Sequence, residues 1–321
     1  MAVPFFSGAD VERAVSPHEA YDAVTPDRAV DAVRDAFVAH ARGEWTMPPK
    51  VYVTNYPAGD FRAMPALGGG FALLKWINSF PGNPALGLPT VSGVVLISDA
   101  ETGALRAVLD AGSVTALRTG AAAVLAAETL GRADARGAAV IGVGVNGQAA
   151  VRTLLARGHE VTVWDVDEGR ARRAAAELGA DVAPSLPDAL GADVVVTVTP
   201  GHEVLIGDET LRPGQHVSLM GADGPGKAEA STGALRRARL FCDDWEQASH
   251  GGELAHGVEE GAIERGDVTD LGRVLTGEVD GRRDPDEVTM FDSTGLAIQD
   301  LAIALAALDR AGDLDLRTLE L

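Results

Sequence analysis

The stretch "AAVIGVGVNGQAAVRTLLARGHEVTVWDVD", residues 138–167, decides the fold. It reads as an apolar strand, a glycine-rich turn, a helix and a second strand. Gly142, Gly144 and Gly147 form a G-x-G-x-x-G, which is weak alone in a chain of 38 glycines. The context strengthens it. The turn follows a strand and opens a helix, and Asp165 closes the next strand 23 residues after Gly142. The first glycine permits the tight turn, the second lets backbone amides approach a pyrophosphate, and the third allows helix to pack on strand. Asp165 would accept hydrogen bonds from the ribose hydroxyls and repel a 2′-phosphate, which favours NAD over NADP. Arg170 and Arg172 lie nearby and pull the other way.

The rhythm continues outward. A helix over 168–178 and strands at 193–200, 216–223 and 239–244 alternate as parallel βαβ units do, so the expected fold is α/β with a Rossmann-type doubly wound parallel sheet. Upstream, "KVYVTNY", "FRAMPAL", "FALLKWI", "TVSGVVLIS" and "LRAVLD" are short apolar runs punctuated by Gly, Pro, Asn and Asp. They predict a strand-rich region with a hairpin at "DAETG". Ser113 is the expected cap of an Ala-rich helix ending near Gly131. Two helical patterns are read before residue 45. In the clearer one Thr25 can cap, Pro26 suits the first turn, and Val30, Val33, Phe37 and Val38 share a face. After residue 285, "VTMFDSTG" reads as a strand and "LAIQDLAIALAALDRA" as a final amphipathic helix. The layout predicts a Rossmann domain over 126–289 and a discontinuous α+β domain built from 1–125 and 290–321.

Composition bounds the partners. The formal charge is −20, from 47 acidic and 27 basic residues. Such a surface disfavours nucleic acid and anionic membranes as partners. Only three of the basic residues are lysines: Lys50, Lys75 and Lys227. Acidic excess with arginine for lysine matches the bias of a salt-loving organism; a GC-rich genome would explain the arginine but not the acidity. One cysteine, Cys242, excludes an internal disulfide and supplies no metal cluster, and the seven histidines are scattered, with His250 and His256 read as loop residues. No metal site is expected. No run of 18 apolar residues and no leader pattern is present, so a cytoplasmic location is expected.

Five motifs in order, "KWINSFPGNPALGLPTVSGVVLISDAETG", "TALRTGAAA", "GVGVNGQ", "GADGPGKAE" and "FDSTGLAIQDLA", resemble those of the ornithine cyclodeaminase/mu-crystallin family, which includes archaeal alanine dehydrogenases. The resemblance runs from about residue 47 to 308. It implies a homodimer formed through the end-built domain, with an NAD(P) site in the central one. It also implies that Lys75 sits at the substrate carbonyl or carboxylate, that Asp223 is the general acid/base, and that Arg118 binds the substrate carboxylate. By the same resemblance Thr90, Val145, Asn146, Thr199, Lys227 and Ser293 would line the cofactor, and Lys50 stands where the family's "MPPR" motif has arginine.

The chemistry agrees with those residue types. Oxidising a 2-amino acid needs a carboxylate clamp, which a guanidinium fork supplies, and a base to help water attack the iminium. A compact ammonium can stabilise the anionic carbinolamine and share its proton, which a guanidinium cannot. Lys75 could alternatively face solvent from its strand, Arg118 could be a surface helix residue, and Asp223 could be a turn residue before Gly224. Cyclodeaminases have a Glu two positions before the "MP" pair, where this chain has Arg62. An arginine in the substrate pocket would repel the distal ammonium of ornithine. The expected reaction is therefore the NAD-dependent interconversion of a small 2-amino acid and 2-oxo acid, L-alanine and pyruvate being simplest. Ornithine cyclodeamination to proline, ketimine reduction and non-catalytic mu-crystallin-like binding are the alternatives.

Overall fold

A computed structural model of the chain describes residues 2–7, 26–201, 203–224 and 226–320. The chain forms two compact units, Met1–Arg118 with Leu296–Leu321, and Thr119–Gly295.

In the first unit, strands β1 (Ala2–Phe6), β2 (Val51–Asn55), β3 (Gly59–Gly68), β4 (Phe71–Ser79), β5 (Val91–Asp99), β6 (Leu105–Asp110) and β15 (Arg317–Glu320) make one sheet in the order β15-β1-β6-β5-β4-β3-β2. The run from β2 to β6 is antiparallel, and the hairpin at 99–103 joins β5 to β6 as expected. Side chains alternate between two faces along each strand. Leu73, Lys75 and Ile77 point to the covered face of β4, while Leu74 and Trp76 are exposed on the other. Register places Leu67, Val94, Val51 and Val53 on that same outer face, and all four are exposed.

Helix α1 (Asp27–Ala41) buries Val30, Val33 and Phe37 at helical spacing, and packs against the closing helix over Ala297–Leu308. Its expected cap, Thr25, lies outside the described residues. The other early helical pattern has no described counterpart: residues 2–6 are strand and 8–25 are not described. Helix α2 (Ala111–Leu130) begins two residues before Ser113, because Asp110 caps it; its carboxylate accepts the Ser113 amide at 2.7 Å. Ser113 is thus the third helical residue, not the cap.

The second unit holds an eight-stranded, wholly parallel sheet built from β7 (Gly137–Ile141), β8 (Glu160–Trp164), β9 (Asp181–Val182), β10 (Val194–Thr197), β11 (His216–Leu219), β12 (Arg239–Cys242), β13 (Val268–Asp270) and β14 (Thr289–Asp292). The order β13-β12-β14-β11-β10-β7-β8-β9 reverses direction beside β7, between β8 on one side and β10 on the other. Ligands of open α/β sheets sit beyond the carboxyl ends of strands at such a switch point. Helices α3 (Val145–Ala156) and α4 (Glu168–Leu178) follow β7 and β8. The last long helix, α5 (Ala297–Leu308), returns to the first unit. The expected strands and helices of this region are present; β1, β9, β13 and β15 were not expected. They are short or pair far along the chain, so no local period marks them.

Candidate functional site

The three glycines after β7 differ in their surroundings. Gly142 has φ +91° and a Cβ there would meet the Val198 carbonyl at 2.6 Å. A Cβ on Gly147 would lie 1.9 Å from the Gly142 carbonyl oxygen, so α3 rests directly on the turn. Gly144 is different: nothing lies within 4 Å of its Cβ position, and it caps α3 with no side-chain hydrogen bond. That helix start has no side-chain cap, and the room beside Gly144 would let a pyrophosphate approach its amides. Asp165 follows β8 with its carboxylate buried. One oxygen accepts the Val143 amide and the other the Asp167 amide, each at 2.9 Å. The half-exposed Arg170 guanidinium reaches Asp165 at 3.3 Å, whereas Arg172 turns to Glu168. Val145 and Val166, 71% and 82% exposed, flank this corner as uncovered apolar surface, and Asn146 is half-buried. The chemistry of this corner fits an NAD molecule: free helix-start amides for the phosphates, a carboxylate for the ribose, and apolar surface for the adenine.

Asp223 lies in the loop after β11 and is half-buried, with Lys227 donating to it at 2.6 Å. Beneath this loop stands Glu229, a residue the sequence reading quoted within a motif but gave no role. It is completely buried and accepts four hydrogen bonds. One oxygen takes the Thr199 amide and hydroxyl at 2.9 and 2.6 Å; the other takes the Thr197 hydroxyl and the Gly221 amide at 2.6 and 2.9 Å. It therefore ties together the loops leaving β10 and β11, two residues before Asp223. Thr199 is engaged in that clamp and also accepts the Gly201 amide. Burial pushes the Glu229 carboxyl up, against the donors that favour its anion. Glu253 accepts the amides of Glu229 and Ala230, and burial together with the Glu229 charge pushes it up to about 8. Asp292 is raised well above the ordinary carboxylate range by burial and then by Asp243 and Glu253. Ser293 is buried next to it, and its hydroxyl donates to Asp243 at 3.2 Å.

In the first unit, Lys75 does not face solvent. Its side chain is 1% exposed and donates to Asp300 Oδ1 at 2.8 Å, and Asp300 is 0% exposed. Arg118 Nε is 3.6 Å from the same oxygen, an ion pair rather than a hydrogen bond, and that guanidinium is largely buried as well. Burial drives the Lys75 ammonium down to about 8; Asp300 opposes that, while Arg118 and Lys50 add to it. Asp300 stands in the first turn of α5, a helix buried almost all round whose other residues are apolar except Gln299. Sequence reasoning passed over it. The available signal was a lone acid in "LAIQDLAIALAAL" matched by a lone lysine in "FALLKWI", since two such charges survive burial only as partners. Arg62 sits on the face of β3 that Met64 shares with Lys75 across the strand pair. It is held by Asp60 at 2.7 Å and stacked on the Tyr52 ring. Its charge is already met, so the expected repulsion of a distal ammonium does not follow from Arg62. Lys50 and Thr90 are half-buried.

A groove lined by Arg212, Arg237, Arg239 and Glu287 lies at the amino ends of β11, β12 and β14, and its arginines are largely taken up by protein carbonyls. It has none of the features above.

The family model for ornithine cyclodeaminase/mu-crystallin proteins matches residues 15–314. The chain belongs to the ornithine cyclodeaminase/mu-crystallin family. Among members of the family, it is 41% identical over 306 residues to an alanine dehydrogenase of Archaeoglobus fulgidus, covering 92% of this chain and 94% of that one. The fold matches an archaeal alanine dehydrogenase dimer with bound NAD at a TM-score of 0.92 and 38% identity, over 100% of this chain and 99% of the other. It also matches the iminosuccinate reductase of Paracoccus denitrificans in complex with NAD+, at a TM-score of 0.87 and 28% identity over the full length of both. Among the described residues, no helix is long and apolar enough to cross a membrane.

Proposed function

We propose that this chain is an NAD-dependent oxidoreductase acting on a small 2-amino acid/2-oxo acid pair, with L-alanine, NAD+ and water giving pyruvate, ammonium, NADH and a proton. The observation that carries the reading is the Lys75 ammonium, wholly buried and grouped with Arg118 around one carboxylate. A buried ammonium with a titration near 8 is poised to stabilise an oxyanion and to exchange a proton. The likeness to alanine dehydrogenase over nearly the whole chain supports the same choice.

In this reading Arg118 grips the substrate carboxylate, with Lys50 adding positive charge and Arg62, held by Asp60, contributing polar surface without net charge. Bound NAD+ supplies the hydride acceptor. The helix-start amides after Gly144 and the Asp165 carboxylate would hold its phosphates and ribose, with Val145, Asn146, Gly142 and Gly147 shaping the turn and Thr90, Thr199, Lys227 and Ser293 contributing to its surroundings. Loss of hydride from Cα leaves an iminium. Asp223 takes a proton from the attacking water, and Lys75 steadies the developing carbinolamine oxygen. Collapse of the carbinolamine expels ammonia and leaves the 2-oxo acid. The exposed apolar face carrying Leu74, Trp76 and Val94 supports a homodimer closed by that sheet, as an uncovered patch of this kind seeks a partner.

Ornithine cyclodeamination stays as a second reading on one observation: Asp60 neutralises Arg62, so the site carries no unmet charge there to turn away a second amine. Two assays separate them. L-alanine with NAD+ should accumulate NADH at 340 nm, whereas cyclodeamination of L-ornithine regenerates NAD+ and releases ammonia and proline without net NADH. Asp223→Asn should abolish turnover and leave NADH binding intact. Proline and ammonia from ornithine, with no NADH from alanine, would overturn the first reading.

A further inference from the structure

We infer that Asp300 is a positioning residue that keeps Lys75 charged and aimed within the substrate site. The inference goes beyond the catalytic roles above and rests on them only for its kinetic consequence.

Two cations, Lys75 and Arg118, meet at one carboxylate oxygen of Asp300. Lys75 Nζ is within hydrogen-bonding distance of Asp300 Oδ1, Arg118 stands 3.6 Å from that oxygen, and Lys50 adds a third positive field at Lys75. A lysine this deeply buried, with two like charges near it, would lose its proton at neutral pH. The counter-charge must then come from a group as buried as the ammonium, and among the described residues Asp300 is the carboxylate in contact with it. The carboxylate is fixed from both ends: α5 presents it from its first turn, where negative charge is favoured, and the salt bridge spans 225 residues of sequence to β4. Its second oxygen, Oδ2, and Arg118 Nε are buried without hydrogen-bond partners. The protein therefore does not satisfy this cluster by itself, as befits groups kept for a substrate rather than for stability.

The chain's three lysines make the test direct. Protein carrying 13C-labelled lysine gives three side-chain signals, assigned by Lys50→Gln and Lys227→Gln, and each can be titrated without substrate or turnover. In the native protein one signal should titrate near 8. In Asp300→Asn that midpoint should fall by roughly 1–3 pH units. The alkaline limb of the kcat profile should move down by the same interval. A residue that merely packs would lower kcat at every pH and leave both midpoints in place, and that result would overturn the inference. Should Asp300→Asn not fold, the native midpoint decides. Near 8 supports the assignment; at about 6 or below, the range of a buried lysine without a counter-charge, it is overturned. A moving midpoint in a protein inactive on every amino acid would leave Asp300 assigned and sink only the proposed reaction.

Discussion

The glycine turn offers a sharp test, because its second and third glycines are required by different things. At Gly147 an added methyl would sit 1.9 Å from the Gly142 carbonyl oxygen, about 1.5 Å inside ordinary contact. Both groups are backbone, so no side chain can swing aside, and α3 must lift off the turn. Overpacking of this kind costs about 1–3 kcal/mol, and the rigid neighbour puts this case at the upper end. For a unit of this size about 3 kcal/mol corresponds to a fall in Tm of roughly 6–12 °C. Gly144 has φ −67° and ψ −169°, ordinary for alanine, and open space around its Cβ position. Gly144→Ala should therefore leave Tm within about 1 °C, as unstrained exposed substitutions do. It should nevertheless weaken NADH, because the methyl occupies the approach of the pyrophosphate to the amides. Losing one hydrogen bond to a charged group, about 1.5–3 kcal/mol, weakens binding roughly 10- to 150-fold. Thermal unfolding and titration of NADH fluorescence measure both. Native-like NADH affinity in Gly144→Ala, or a native-like Tm in Gly147→Ala, would refute this division of labour.

Three further outcomes follow from the charges. Lys75→Met leaves buried Asp300 with only the 3.6 Å ion pair to Arg118, and should lose about 3–5 kcal/mol in urea unfolding; adding Asp300→Asn should recover part of that loss. Additive losses in the double variant would contradict the coupling. Glu253 holds its proton to about 8 in the folded chain, against 4.5 when unfolded. The folded state thus binds the extra proton between those values, and stability falls as pH rises, by up to about 1.4 kcal/mol per unit. Relative to the native protein, Glu253→Gln should gain stability steadily from pH 5 to 8; parallel pH curves would contradict it. Asp165→Ser removes the charge that opposes a 2′-phosphate and releases Arg170, so the ratio of NADH to NADPH affinity should drop at least tenfold, roughly the value of one charge-assisted hydrogen bond. An unchanged ratio would show that Asp165 does not face the ribose.

The parts of the molecule that follow a local period were readable in advance. The α4 helix begins and ends where its pattern does, and the G-x-G-x-x-G lies on the strand-turn-helix it requires. What escaped was set by distance along the chain. β1 pairs with β15 from opposite ends, and each is too short to announce itself. Asp110 caps the helix in place of Ser113 because its carboxylate accepts the Ser113 amide, which starts the helix two residues before Ser113. The candidate site divides in the same way. Lys75 and Arg118 stood out as cations in apolar or helical surroundings, but the acid joining them comes from α5, and its pairing is a tertiary fact. Glu229 was hidden for a similar reason: its four donors come from strands and loops that meet only in the folded sheet. Arg62 shows the reverse error, where a charge read in isolation proved to be already paired with Asp60.

The central claim is that this chain interconverts an amino acid and an oxo acid with NADH. It is tested most directly by NADH consumption with pyruvate and ammonium in molar KCl, a medium that screens the −20 charge. The account predicts steady consumption that requires ammonium and yields L-alanine. A sample that binds NADH yet consumes none with pyruvate and ammonium would contradict it.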